Sequence, residues 1–127
     1  MNTAESCQVI KLHYHRQSRV LDISFSDGFA ASLSAEFLRV FSPSAEVHGH
    51  GRPVLVSNKK MVAITQLVPV GHYAVKLVFD DGHNSGLYSW PYLLNLCTTQ
   101  QEKWQSYLAQ LKLANANRDE IIAVRQH

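Results

Sequence analysis

The stretch YAVKLVFDDGHNSGLYSWPYLL, from Tyr73 to Leu94, decides the fold of this chain. Its first part alternates apolar and polar residues, which predicts a β-strand with one buried face. The residues predicted on that face are Tyr73, Val75, Leu77 and Phe79. Asp81-Gly82 follows the strand, and such a pair tolerates the positive φ of a tight hairpin turn. The stretch is therefore expected to begin as an antiparallel hairpin.

The second half of the same stretch predicts a short strand followed by a helix. The return strand should cover Ser85 to Tyr88. Ser89 is placed to cap a helix, since its hydroxyl can accept from the first free backbone N–H groups, and Pro91 is tolerated in the first helical turn. Asp80 and Asp81 are neighbours at the strand end, so their side chains point to opposite sides and cannot share a proton as catalytic carboxylate pairs do.

The N-terminal third predicts a second unit of the same kind. VIKLHYH and RVLDISFS alternate and indicate an antiparallel hairpin. The residues predicted to face the core are Leu21, Ile23 and Phe25. Asp27-Gly28 predicts a further tight turn, after which FAASL returns as a third strand. Ser34 is placed to cap a short helix from Ala35 to Val40.

The middle of the chain predicts a loop and then more strands. SPSAEVHGHG, from Ser42 to Gly51, has neither a helical nor a strand period, and its serines, proline and glycines indicate a loop. PVLVS and KMVAITQLVPV bracket the turn residues Ser57-Asn58 and predict further antiparallel strands.

The C-terminal region predicts an amphipathic helix. It should begin near Thr98 or Thr99, because Gln101 and Glu102 stand where a capping box requires them. One apolar stripe is expected to pack into the core, formed by Trp104, Tyr107, Leu108 and Leu111. The fold class expected is α+β, a small antiparallel β-sheet domain with short helices and a C-terminal amphipathic helix. Residues 1–127 are expected to form one domain with a core of about 9–113 and a tail over 114–127.

Composition narrows the class of protein. With 46% hydrophobic and 17% charged residues, the chain has the composition of an ordinary globular protein. A net charge of +2 without a clustered basic face argues against a nucleic-acid partner. The apolar runs are too short for a membrane helix and no leader is visible, so we expect a soluble, cytoplasmic protein. Cys7 and Cys97 are too far apart in the sequence to suggest a disulfide framework or a cysteine zinc site.

One group of residues has the side chains of a metal site. His48 and His50 form an H-x-H pair, Glu46 precedes them, and His83 joins them if the loop folds over the Asp81-Gly82 turn. Imidazole and carboxylate ligands suit zinc, iron, nickel or copper. The alternative is a polar, solvated loop, since histidines flanked by glycines are common on surfaces. The spacing of these residues alone leaves both interpretations open.

LRVFSPSAEVHGHG, YAVKLVFDDGH and NSGLYSW together resemble the gamma-butyrobetaine hydroxylase-like N-terminal domain family, in its small bacterial single-domain branch. The resemblance spans roughly residues 12–111. It implies a small α+β domain. In the eukaryotic hydroxylases that this chain resembles, the domain holds a structural zinc through C-x-C-x-x-C and a later histidine.

The family's zinc positions are mostly altered in this chain. The three cysteine positions fall on Ser42, Ser44 and Val47, and the histidine falls on His83. Serine hydroxyls and a valine cannot replace thiolates in a tetrahedral zinc site, so we expect that particular site to be absent.

The resemblance also bears on activity and partners. The catalytic jelly roll that follows this domain in the hydroxylases is not expected within the 127 residues, and none of the seven histidines begins the His-x-Asp/Glu of the iron triad. We therefore expect a non-catalytic accessory or interaction domain, with a zinc or other divalent transition-metal ion as the candidate cofactor. The alternatives are a subunit or remnant of a 2-oxoglutarate/iron oxygenase, or a factor associated with iron–sulfur protein assembly. The partner implied is an oxygenase or an iron–sulfur carrier.

Overall fold

The described residues form two three-stranded antiparallel sheets with helices packed against them. The computed structural model describes residues 7–43 and 59–114. The elements in these residues are β1 (Val9–His15), β2 (Val20–Phe25), β3 (Ala30–Ser34), α1 (Ala35–Val40), β4 (Ile64–Val70), β5 (Ala74–Phe79), β6 (Asn84–Ser89), α2 (Trp90–Thr98) and α3 (Gln100–Leu113). The sheet orders are β1-β2-β3 and β4-β5-β6. The α+β class with short helices and a C-terminal helix is thus confirmed.

Three of the predictions concern residues outside the described ranges. These are the strand PVLVS over 53–57, the loop beyond Pro43, and the tail beyond Ala114. Within the described ranges, the run KMVAITQLVPV is strand only from Ile64, since Lys60 and Met61 form a turn and Val62 and Ala63 are irregular. No helix in the described residues is long and apolar enough to span a membrane.

The two Asp-Gly turns have the backbone that their sequences predict. Gly28 has φ +94° between β2 and β3, and Gly82 has φ +87° between β5 and β6. A residue with a side chain rarely adopts such angles, which explains glycine at both positions. Each turn is supported by the preceding aspartate: Asp27 accepts from the N–H of Phe29, and Asp81 accepts from the N–H of His83.

One hydrophobic cluster joins both sheets with α1 and α2. The predicted core face of β2 is confirmed, since Leu21, Ile23 and Phe25 are almost completely buried. The same holds for Val75, Leu77 and Phe79 on β5.

Tyr73 was wrongly predicted on the core face of β5, since it is 56% exposed. The strand begins one residue later, at Ala74, and Tyr73 lies in the preceding turn. Its carbonyl accepts a hydrogen bond from the N–H of Trp90. The alternating sequence pattern therefore begins one residue before the strand itself.

Helix caps follow the prediction at two of three sites. The Oγ of Ser34 accepts from the N–H of Phe37, and the Oγ of Ser89 accepts from the N–H of Tyr92. The capping box at Thr98 or Thr99 is wrong. Thr99 precedes α3 without a side-chain cap, because α2 continues to Thr98 and the Thr99 hydroxyl donates to the carbonyl of Asn95.

The apolar stripe of α3 packs against the end of α1. Tyr107 and Leu111 are buried in a second, smaller cluster with Val40. Trp104 and Leu108 are partly buried against the same cluster. The stripe is thus part of the core, as predicted from its helical spacing.

Candidate functional site

Two tyrosines of the stretch from Tyr73 to Leu94 are hydrogen-bonded to the C-terminal end of α1. The hydroxyl of Tyr88 donates to the carbonyl of Leu38, and the hydroxyl of Tyr92 donates to the carbonyl of Phe41 at 2.7 Å. The last carbonyls of a helix lack partners within the helix, and these two tyrosines provide them. The chain that leaves α1 is therefore fixed in direction.

His83 meets the first residue of the predicted ligand loop. Ser42 follows α1, is fully buried, and shares a hydrogen bond of 2.9 Å between its Oγ and Nε2 of His83. The His83 ring also lies 6.2 Å from the ring of Phe79, measured between centroids. His83 is partly buried, and its side chain is turned toward Ser42 and Phe79.

Asp81 connects the same turn to two basic side chains. Its Oδ2 accepts from Nε of Arg39 at 2.9 Å and lies 2.7 Å from Nζ of Lys59. Its Oδ1 accepts from the backbone N–H of His83 at 3.0 Å. Burial raises the pKa of this carboxyl, but the hydrogen bonds from Lys59, the N–H of His83 and Arg39 outweigh burial and lower the pKa to about 2.

Sequence reasoning missed the ion pairs of Asp81. It explained Asp81 through its turn, and the turn is present, but Arg39 is 42 residues away and belongs to another element. Adjacent Asp80 binds elsewhere: its Oδ1 accepts from the N–H of Ala63 at 3.1 Å. The two carboxylates therefore have separate partners, as their neighbouring positions predict.

The predicted metal ligands divide between described and undescribed residues. His83 is in the described part, whereas Glu46, His48 and His50 lie outside it. Over residues 7–43 and 59–114, no three His, Cys, Asp or Glu side chains are grouped so as to hold a metal ion. Ser42 stands where the resemblance implies the first zinc cysteine, and its buried hydroxyl is hydrogen-bonded to His83. A hydroxyl there does not fit the thiolate zinc site.

The fold and this arrangement define a class of small α+β domain in which a β-hairpin holds the end of a helix. The chain belongs to the family described as gamma-butyrobetaine hydroxylase-like, N-terminal, which it matches over residues 12–94. No curated protein matches the chain.

Solved structures share the fold. One protein determined by solution NMR is 53% identical, with all of this chain and 98% of that one covered and a TM-score of 0.81. A second NMR structure is 43% identical, covering 94% and 96% with a TM-score of 0.79. A crystal structure of a DUF971-family protein of unknown function from Acidithiobacillus ferrooxidans is 39% identical, covering 70% and 91% with a TM-score of 0.60.

Proposed function

We propose that the chain is a non-catalytic, cytoplasmic accessory domain that acts through a partner protein and holds one divalent transition-metal ion. The ligands are His83 with Glu46, His48 and His50. The observation that supports this most directly is the 2.9 Å contact between Ser42 and His83. Residues 1–127 act as a single domain in this role.

The contact matters because Ser42 opens the segment that carries the other ligands. Glu46 follows Ser42 by four residues and His50 by eight. An extended chain covers at most about 3.5 Å per residue, so Glu46 is within ~14 Å of Ser42 and His50 within ~28 Å. Both distances allow the segment to turn back to the His83 ring.

The ligand set determines what the site can hold. Imidazole nitrogen and carboxylate oxygen bind zinc, nickel and similar ions without thiolates. Each imidazole must be neutral to bind, so affinity should fall as the histidines protonate below about pH 6.5. The partner implied by the family resemblance is an oxygenase or an iron–sulfur carrier.

The test is a zinc and nickel titration by calorimetry at pH 7.5 and pH 5.5, on protein purified without an affinity tag. We expect one ion per chain at pH 7.5, weaker binding at pH 5.5, and loss of binding in His83→Ala and His50→Ala. His72→Ala is the matched control, since His72 is exposed in the turn between β4 and β5.

Ser42→Ala separates the proposed role of His83 as a metal ligand from its hydrogen bond to Ser42. If the ion binds through Nε2, removing the hydroxyl that occupies this nitrogen should strengthen binding. Absence of binding tighter than about millimolar in the parent would refute the site, as would unchanged binding in both His83→Ala and His50→Ala.

The accessory role has its own test. The purified chain, supplied with iron, 2-oxoglutarate and a betaine, should not couple decarboxylation to hydroxylation. Turnover that depends on the chain's own histidines would contradict a non-catalytic role.

A further inference from the structure

One edge strand from each sheet, β1 and β4, lines a shared cleft. Residues of β1 and β4, with Arg16 from the turn after β1, surround a space of 430 Å³. In the described part of the chain, β1 pairs with β2 alone and β4 pairs with β5 alone. Alternate residues of an edge strand turn their N–H and C=O groups away from their neighbour. Both walls of the cleft therefore carry backbone groups able to pair with another strand.

Tyr14 sets the width between these edges. Its hydroxyl accepts from the backbone N–H of Ile64 at 3.0 Å, so a whole tyrosine side chain stands between β1 and the start of β4. Directly paired strands lie about 4.8 Å apart, which leaves no room for a tyrosine end to end. The edges of β1 and β4 are therefore near each other but too far apart to pair directly.

The cleft has an apolar floor and a basic rim. Leu12 and Tyr14 of β1 lie opposite Ile64 and Leu67 of β4, and all four are partly or fully buried. The exposed rim on the β1 side carries Lys11, His13 and Arg16, and the exposed rim on the β4 side carries Thr65 and Gln66. None of the described lining residues is acidic.

We propose that this cleft binds an extended acidic segment of a partner protein, added as a strand against β1 or β4. Successive side chains of a strand point to opposite sides. A segment that alternates apolar residues with Asp or Glu would therefore place its apolar side chains on the floor and its carboxylates beside Lys11 and Arg16. Backbone hydrogen bonds would supply affinity, and the basic rim would select for charge.

Proline and bulges limit the part of each edge that can pair with another strand. Pro69 lacks an N–H on the later part of β4, and exposed edges are commonly protected by proline and by bulges. β1 and β4 each also contain a bulge where the cleft begins, between Val9 and Lys11 and between Ile64 and Gln66, so regular pairing is expected only beyond it. The Asp22 carboxylate on β2 is engaged by His15 and Ser32.

This inference deepens the proposed role as an interaction domain but does not depend on the metal site. The probe is a fluorescein-labelled eight-residue peptide of alternating valine and glutamate, measured by fluorescence anisotropy in the presence of EDTA. We expect Lys11→Glu combined with Arg16→Glu to weaken binding by about tenfold or more. The matched control, Lys103→Glu with Lys112→Glu on α3, should change binding by less than about twofold beyond general charge effects.

Two further peptides test the mode of binding on the unaltered protein. A valine-lysine peptide should bind about tenfold more weakly, since the rim is basic. A valine-glutamate peptide that is N-methylated at alternate residues should also bind about tenfold more weakly, because it lacks half of its backbone donors. Amide chemical shifts should change along β1 and β4.

Several results would overturn the inference. They are no binding of the valine-glutamate peptide, equal binding by the reversed-charge variant, or no effect of N-methylation. Tighter binding of oligothymidylate would indicate a nucleic-acid surface instead. A dimer in sedimentation that the reversed charges dissociate would identify a second copy of the chain as the occupant. Because EDTA is present throughout, these results are independent of the metal titration.

Discussion

Arg39 and Asp81 form an ion pair of 2.9 Å between Nε and Oδ2, which joins the end of α1 to the turn between β5 and β6. Lys59 lies 2.7 Å from the same oxygen. The Asp81 side chain is only 20% exposed, so solvent screens these charges less than at a typical surface pair. The Arg39–Asp81 ion pair and the Ser42–His83 hydrogen bond both join the C-terminal end of α1 to this turn.

Asp81→Asn should destabilise the fold at neutral pH by about 1–2 kcal/mol, because the amide keeps the shape but loses the charge that binds Arg39 and Lys59. The folded pKa of Asp81 is about 2, below its usual value of 3.8. Its contribution is therefore fully present above about pH 4 and is lost as the pH falls toward 2. Urea denaturation of metal-free protein between pH 7 and pH 2.5 measures the difference.

The control for Asp81 is Asp27→Asn in the other Asp-Gly turn, where Asp27 accepts from the N–H of Phe29. It should cost less than Asp81→Asn. A difference between parent and Asp81→Asn that stays constant down to pH 2.5 would contradict the assigned role of the charge.

Gly82→Val should destabilise the protein by about 1 kcal/mol or more, since a β-branched residue is strained at φ +87°. No atom lies within 4 Å of a Cβ built at this position, so the cost comes from the backbone and not from a clash. Gly82→Asn is the control, because asparagine tolerates positive φ better. Equal denaturation midpoints for the valine and asparagine variants would show that backbone strain is not the cause.

Tyr88→Phe should cost about 1–3 kcal/mol. The ring remains buried, but the carbonyl of Leu38 loses the hydroxyl that donates to it. Tyr73→Phe, at an exposed position, should have little effect. Denaturation midpoints in urea test both variants, and a Tyr88→Phe midpoint equal to that of the parent would mean that the hydrogen bond adds nothing to stability.

Cys97 should react slowly with thiol reagents in the folded protein. Burial raises the pKa of the Cys97 thiol to about 11, so its thiolate fraction at pH 8 falls by about a hundredfold relative to an ordinary cysteine with a pKa of 9.0. Cys7→Ala leaves Cys97 as the reporter, and dithionitrobenzoate measures its rate. The same variant in urea serves as the reference, and equal rates in the two conditions would exclude protection by the fold.

Local chemistry explains how much of the fold the sequence predicts. Ser34 and Ser89 cap helices, and Gly28 and Gly82 form turns, because each acts on backbone groups a few residues away. Thr99 fails as a cap because the preceding helix reaches Thr98, which a local pattern does not reveal.

The site was less predictable because its contacts cross long stretches of chain. His83 was identified from the sequence, but its bond to Ser42 joins residues 41 apart. The ion pair of Arg39 with Asp81 has a similar span, and neither residue belongs to a spacing pattern that indicates the other. The proposed ligands Glu46, His48 and His50 remain a prediction.

The order of strands in each sheet has a consequence for how the chain folds. Among the described strands, each sheet is built from ones that are consecutive in sequence, and β3 ends at Ser34, before β4 begins at Ile64. We therefore expect the two sheets to nucleate separately as local hairpins, even during synthesis. Bonds such as that between Tyr14 and Ile64, 50 residues apart, form only when the sheets dock. Weakening such a bond should mainly accelerate unfolding and leave the refolding rate little changed.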